Sequence, residues 1–500
     1  MKKSFYLFIV VTFFISACSS IVTSRKQKAP FIKNFYNGQT QKAEKSLQAK
    51  ANAYQGTIDE LTWELEVAST LFETGNFELS LEAFNKCERS IKDYESRAVV
   101  SGRETGLEGT VLLTNLNALP YKGKDIDKTM LFAYKALNYF ALNKKESALV
   151  EIRRMREVQK EIIKNHQDIL NKSKKDIENI NRLNQKKAYS FGQGSKNTNI
   201  SFEKIKNNKT IKQAYKPTNR FSNKLFRDLG NPFISYLSAI GYLIEQNYNE
   251  ALLDFRNLYE MKPNSKLIQK YLVTCAKSIG ATIPDELSDV KPFEYPLDRN
   301  IAFILFFNGR GAALKSKTFQ IILPIVGYTG IAFPDYEEFK RPLPKLYFEV
   351  NKNNEIYKFS TEKLVDLDAV KLQEYQDNFP LMMTRIVAST LTKELASFAA
   401  VYAAKQAGSG VGIAALALTG FYKYLFNIAD TRCWETLPKE IQIGHFQYPK
   451  DGIIKIDSNE SSNALQKSKV FQLQKNTKVS IIYIRALNKK NIIYRIFELD

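Results

Sequence analysis

The chain has 500 residues, 44% of them hydrophobic and 12% aromatic, which supplies cores for about three domains and excludes a disordered or fibrous chain. Four cysteines (Cys18, Cys87, Cys275 and Cys433) and two histidines (His166 and His445), with no CxxC or HxxxH spacing, leave no disulfide framework and no recognisable zinc site, so no metal and no cofactor is expected. The formal charge of +21 is concentrated in residues 171 to 227, where 12 Lys and 3 Arg face 3 acidic residues with no aromatic-interleaved RNA motif, so nucleic acid is not an expected partner.

At the start, MKKSFYLFIVVTFFISACSS places Lys2 and Lys3 before an apolar run from Phe5 to Phe14, shorter than the roughly 20 residues a membrane span needs. This is the pattern of a signal peptide, residues 1–17. Its end, Ile15-Ser16-Ala17-Cys18, resembles the lipobox of bacterial lipoproteins, in which the cysteine thiol takes a diacylglycerol and, after cleavage, becomes the acylated first residue, carrying chains such as palmitate. Cys18 is therefore the expected lipidation site. Ser19, where an aspartate would signal retention, resembles the sorting preference of outer-membrane lipoproteins facing the periplasm. Residues 18–57 are expected to form a lipid-anchored linker.

Residues 58–170 have helical periodicity. In ELTWELEVASTLFETGNFELSLEAFNKCERS, Gly75, Phe77, Ser80, Phe84 and Cys87 give the small and aromatic alternation of a tetratricopeptide repeat from its inter-helix turn through its second helix. A weaker copy has Ala136, Tyr139, Ala148 and Ile152 in register, with Lys145 where the turn aromatic would stand. The basic, Asn- and Ser-rich insertion 171–227 reads as a helix end running into a solvated polar loop, the alternative being contact with anionic lipid headgroups or an acidic envelope polymer. In residues 228–290, Ala239, Tyr242, Tyr248, Ala251, Phe255, Leu258 and Pro263 complete the clearest repeat. Stacked repeats form a curved solenoid, with binding residues expected on the solvent side of the first helix of each pair.

Residues 298–500 read as an α+β domain. The run Ile301 to Phe307, then Asn308-Gly309, then a second strand-like run to Leu323 predicts a tight hairpin. KLYFEVNKNNEIYKFS predicts another, turning at Asn351 to Asn354. Helices follow in DLDAVKLQEYQDNFPLMMTRIVASTLTKELASFAAVYAAKQ and, after Gly408-Ser409-Gly410, in VGIAALALTGFYKYLFNIAD. Ala388, Thr392, Ala396, Ala400 and Ala404 recur every fourth residue, which suits a buried Ala-rich helical hairpin, with an interfacial or oligomerising hairpin as the alternative. Strand periodicity returns in EIQIGHFQYPKDGIIKIDSN, with Asp451-Gly452 at a turn, and in KVFQLQKNTKVSIIYIRAL. The predicted fold class is thus multidomain α+β: an N-terminal TPR-like α-solenoid followed by an α+β domain with β-hairpins.

In IADTRCWETLPKEIQ, Asp430, Arg432 and Trp434 alternate at a helix-to-strand boundary, a pattern suited to a bidentate ion pair shielded by an indole. The stretches ALPYKGKDIDKTMLFAYKALNYFAL, NPFISYLSAIGYL, ILFFNGRGAALK, AFPDYEE and ADTRCWETLPKEIQ, in this order after a lipobox, resemble a family of bacterial tetratricopeptide-repeat-containing envelope lipoproteins. The resemblance implies residence in the Gram-negative envelope, a link by gene neighbourhood to lipoprotein activators of peptidoglycan synthases, and no catalytic residues. The chain departs from that family in its basic insertion and in Cys433, where a serine-like residue is expected.

Enzyme patterns are thin. Cys433 and His445 flank a turn without a Gly-rich nucleophile elbow. Glu337 and Glu338 are adjacent acids without a partner, and Gly309-Arg310-Gly311 lacks the strand, helix and lysine of a phosphate loop. The expectation is a non-enzymatic scaffold that holds an envelope protein partner in its TPR-like groove, with a membrane-active or oligomeric component of a secretion or surface assembly as the alternative. A peptidoglycan-acting enzyme ranks third. Oligomeric state is not legible.

Overall fold

The computed structural model describes residues 23–101, 119–190, 230–323, 327–352, 355–406, 429–458, 469–474 and 478–499. The protein is mixed α+β, with a helical N-terminal region followed by a β region. Its first helices are α1 (Ser24–Tyr36) and α2 (Thr40–Tyr54). The stretch expected to be a linker thus holds two helices, and Phe31, Ile32, Phe35, Ala43, Leu47 and Ala51 bury one face of each against the core. That burial at spacings of three and four is what makes these short helices stable.

Three helical hairpins follow: α3 (Glu60–Thr74) with α4 (Phe77–Ser101), α5 (Asp125–Ala141) with α6 (Lys145–Ser190), and α7 (Pro232–Ile244) with α8 (Tyr248–Met261). The first turns at Gly75, which takes the left-handed conformation (φ +89°) that ends α3. In α7, Asn231 caps the N-terminus and Pro232 occupies the first turn, where a missing N–H costs nothing. A side chain at Gly241 would meet Ile152 Cδ1 at 2.3 Å, so the glycine sets the close approach of α6 and α7. Helix α9 (Lys266–Ser278) closes the series.

The main sheet has five strands in the order β11-β10-β1-β7-β6: β1 (Ile301–Asn308), β6 (Glu362–Asp366), β7 (Glu440–Gln447), β10 (Val479–Ala486) and β11 (Ile492–Leu499). β1 runs parallel to β10 and antiparallel to β7. A ribbon of β2 (Ala313–Leu323) and β3 (Gly327–Glu337) stands as its own two-stranded sheet. A third sheet has the order β5-β4-β8-β9, with β4 (Tyr347–Lys352), β5 (Glu355–Ser360), β8 (Ile453–Asp457) and β9 (Lys469–Gln472). The long helix α10 (Leu367–Gln406) leaves β6 and packs against α6 and β3.

Strand periodicity sorts the core into layers. Ile301, Phe303, Leu305 and Phe307 face the helices, whereas Ala302, Ile304 and Phe306 face Phe348, Val350, Ile454 and Ile456 of the four-stranded sheet. The five-stranded sheet is therefore covered on both faces. Aromatic contacts lock it to the hairpins: Phe72 on Tyr483 at 5.0 Å and Phe233 on Phe307 at 5.3 Å. One hydrophobic core runs from α1 to β11, across the residues 290–298 where a boundary was expected.

Two expectations need correction. Asn308-Gly309 is not a hairpin turn: both flanks of β1 are taken by β10 and β7, the Gly309 N–H donates to Ala486 O, and the chain leaves the sheet to form β2. The first helices of the first and third pairs have no solvent side either. Every residue of α3 from Leu61 to Glu73 and every residue of α7 is buried, because the five-stranded sheet fills the inner face of the hairpins. The β4–β5 hairpin forms as predicted, with Lys352 opposite Glu355. Gly452 turns the chain at φ +68°, carrying it from β7 in one sheet to β8 in the other. Cys18, the second arm of the Ala-rich hairpin (411–428) and the insertion beyond Ser190 lie outside the described residues. No helix among the described residues is long and apolar enough to cross a membrane.

Candidate functional site

The Asp430, Arg432 and Trp434 cluster belongs to an extended strap, residues 429–440, that threads between α1, α3 and the sheet and is almost wholly buried. Arg432 forks onto Asp430, Nε to Oδ1 at 2.9 Å and Nη2 to Oδ2 at 2.7 Å, as its spacing suggested. Its Nη1 donates to Asp59 Oδ1 at 3.1 Å and Leu119 O at 2.7 Å, tying the strap to the start of α3 and the approach to α5. The ring over the guanidinium is Tyr121, at 5.6 Å, and not Trp434. The indole instead packs on Phe84 and Tyr134, and its N–H is shared by Thr436 Oγ1 (2.8 Å) and Ser69 Oγ (3.1 Å).

Sequence reasoning missed the groups that hold the strap most firmly. The fully buried Glu66 carboxylate accepts from Lys28 Nζ (2.9 Å), the N–H groups of Glu435 (2.7 Å) and Thr436 (3.1 Å), and the Thr436 hydroxyl (2.7 Å). Lys28 Nζ also donates to Thr62 O, Thr62 Oγ1 and Cys433 O. Burial works against the Lys28 ammonium, but Glu66 and Glu435 outweigh it and hold its pKa above the ordinary lysine value. Buried Arg485 donates to Gly309 O (2.7 Å) and Thr436 O (3.0 Å), and Arg310 pairs with Glu435 at 2.6 Å. At the far end, burial pushes the Glu73 carboxyl up to about 7, with Arg485 offsetting part of the effect. This network is structural.

The residues weighed for catalysis are not brought together. Cys433 is buried, its Sγ accepts the Leu314 N–H at 3.4 Å, and burial pushes its thiol pKa up, away from thiolate. His445 hydrogen-bonds Tyr271 through Nδ1 (2.7 Å) and Tyr295 through Nε2 (2.9 Å), and burial, reinforced by Lys270, lowers its pKa to about 3. Both nitrogens are engaged, and neither partner is Cys433. Glu337 pairs with Arg25 and Lys315. No group of three His, Cys, Asp or Glu side chains able to hold a metal occurs among the described residues.

A different feature is open to solvent. A half-open cleft with a volume of about 90 Å³ lies between the N-terminus of α5, the middle of α6, residues 230–231 and the first turns of α10. Ile126, Ile162, Ile163 and Val370 give it apolar walls. Glu374 reaches across from α10 and accepts the N–H groups of Asp125 (3.0 Å) and Ile126 (3.5 Å), completing the first turn of α5. Asp377 accepts from Gln373 Nε2 (3.0 and 3.1 Å) and stands 3.7 Å from His166 Nε2. Gln159 Oε1 accepts the Asn231 N–H at 2.9 Å, and a side chain at Gly230 would collide with it, so the left-handed glycine (φ +84°) lets the chain pass. Burial and the nearby Asp125 push the Glu374 carboxyl up to about 8, and burial raises Asp125 too. The cleft combines apolar side chains with the carboxylates of Asp125, Glu374 and Asp377 and the amides of Gln159, Asn231, Gln373 and Asn378.

Comparison with protein-family models, curated proteins and solved structures finds no match to this chain.

Proposed function

We propose that this chain is a lipid-anchored bacterial envelope protein that holds a partner protein and works as a non-catalytic scaffold in envelope assembly. Its three helical hairpins are read as TPR-like units whose inner face has been taken over by the protein's own sheet. The partner site is correspondingly placed not along that face but at the cleft where α5, α6 and α10 meet. The observation that carries this reading is the cleft itself: among the described residues, apolar walls, carboxylates and incompletely paired amides come together there at the surface, while Cys433 and His445 are sealed in the core. The signal sequence and Cys18 support the anchor.

The test is site-specific photocrosslinking in cells, with the crosslinker at Ile163 in the cleft and, as a control, at the exposed Leu79 on α4. A discrete adduct from position 163 that is missing from position 79, and that leaves the membrane fraction when Cys18 is replaced by Ala, is the expected result. Equal adducts from both positions, or peptidoglycan turnover by the purified protein, would overturn the scaffold reading.

A further inference from the structure

The first two helices are lopsided in charge. Residues 23–54 hold seven Lys and Arg against a single acid, Glu44. Arg25 is spent on Glu337 and the buried Lys28 on Glu66, while Glu44 accepts the Asn76 amide. That leaves Lys26, Lys33, Lys42, Lys45 and Lys50, all exposed, whose ammonium groups have no ion pair and no hydrogen bond among the described residues. Helix geometry collects most of them. α1 buries Lys28, Phe31, Ile32 and Phe35, so Lys26, Pro30 and Lys33 form the stripe opposite the core; α2 buries Ala43, Leu47 and Ala51, so Lys42, Lys45 and Ala49 do the same. The β10–β11 turn adds two more: Asn488 donates its amide to Tyr36 O and Asn491 donates to Asn37 O, which brings the exposed and equally unpaired Lys489 and Lys490 beside the α1–α2 turn.

Unpaired ammonium groups on two adjacent helices and the turn docked against them repel one another, and what relieves them is a surface of spread negative charge. Position names that surface. Cys18 lies only six residues before Ser24, and the segment between them, Ser19 to Thr23, carries no charge. With Cys18 acylated as proposed above, the bilayer is the surface nearest α1, and Lys26 stands in that helix's first turn. We infer, resting on the anchor reading, that the outward face of α1 and α2, extended by Lys489 and Lys490, lies against anionic phospholipid headgroups. Acyl chains hold a protein to a membrane but leave its body free to tumble at the end of the tether; a basic face beside the anchor is the second contact that fixes its orientation.

The experiment reads lysine by lysine. Acylated full-length protein is reconstituted on vesicles of phosphatidylcholine alone or with about 30% phosphatidylglycerol, labelled briefly with a water-soluble acetylating reagent and analysed by peptide mass spectrometry. Lys33, Lys42, Lys45, Lys489 and Lys490 should label at least about threefold more slowly on the anionic vesicles, and about 0.5 M salt should restore the rate. The exposed Lys144 and Lys277 serve as references and should not change. In the triple variant Lys33→Gln, Lys42→Gln, Lys45→Gln, whose replaced groups have no partner to lose, the protection of Lys489 and Lys490 should disappear while the thermal transition stays in place. Equal labelling on the two vesicles overturns the inference, as does equal protection of Lys144 and Lys277, or protection that salt does not relieve, which would mark contact between copies of the chain. Acylated protein with unprotected lysines would leave the anchor standing and remove this inference alone. An intact mass without acyl chains would remove the anchor reading and, with it, the inference that rests on it.

Discussion

The molecule has two polar clusters, and they are finished differently. Under the strap, Glu66 receives four hydrogen bonds and Lys28 spends its donors on four acceptors, so the charges close on each other. In the cleft, Gln159 and Gln373 each leave one amide end open to the surface, and Asp125 and Glu374 lie side by side, near Lys122, Lys124 and Lys128 but in no direct ion pair. A network completed internally fixes the position of a segment; one left incomplete at a surface has capacity for something else. The difference separates an architectural cluster from the one proposed to bind without appeal to residue type, since both are built from carboxylates and amide or ammonium groups.

The sharpest way to break this comparison is Lys28→Met. Removing one member of a fully buried pair leaves Glu66 charged in the core, at a cost of about 3 to 5 kcal/mol, read as a lower urea midpoint at constant slope. Restoring a large part of that loss with the double variant Lys28→Met, Glu66→Leu would show that the charge, not the packing, was at fault. Arg432→Ala comes next, at about 2 to 3 kcal/mol, because its partners Asp430 and Asp59 retain access to water.

Acid titration tests the sealed core from another side. His445 has an ordinary pKa of 6.5 lowered to about 3, so the folded state binds fewer protons there; its contribution is intact above pH 6.5 and is lost as pH falls from 6.5 toward 3. Between pH 6.5 and 5 the loss is at most about 2 kcal/mol. Glu73, raised to about 7, has the opposite sign: it favours the folded state most at low pH and loses that as pH rises through about 7. Comparing His445→Gln with the parent across this range isolates the histidine, and parallel curves would refute its burial as a neutral ring.

Smaller effects follow. Cys433→Ser should cost about 1 kcal/mol, since the Leu314 N–H still finds an acceptor while the new hydroxyl enters an apolar site. Full complementation by this variant is expected; loss of function with unchanged unfolding would revive a thiol-dependent activity. Ile163→Trp should shift stability by less than about 0.5 kcal/mol, because the position is partly exposed. A large loss there would make the cleft architectural too and erase the contrast.

What was legible in the sequence was what is local. The helical hairpins came from residues a few positions apart, such as Gly75, Phe77, Ser80 and Phe84, and the Asp430 to Arg432 fork from a spacing of two. Lys28 left a readable sign that was passed over: with Phe31, Ile32 and Phe35 it completes a stripe at spacings of three and four, so the apolar face of α1 carries an ammonium group. Glu66 and Glu73 interrupt the buried α3 in the same way. Asn308-Gly309 misled because turn chemistry reports only that positive φ is allowed, whereas strand pairing depends on β10, some 170 residues away. The cleft had no local signature at all. Gln159, Asn231 and Glu374 come from three distant segments, and only the packing of α10 on α6 assembles them.

The docking of α1 has a consequence for height. Ser24 begins a helix held to the core by Lys28, and it lies only six residues after Cys18. At about 3.3 to 3.6 Å per fully extended residue, that segment reaches no more than about 20 Å. With Cys18 acylated as proposed, the body rides directly on the headgroups, free to rotate and drift in the plane of the bilayer but unable to rise from it. A partner docking in the cleft must therefore come to the bilayer surface to be met.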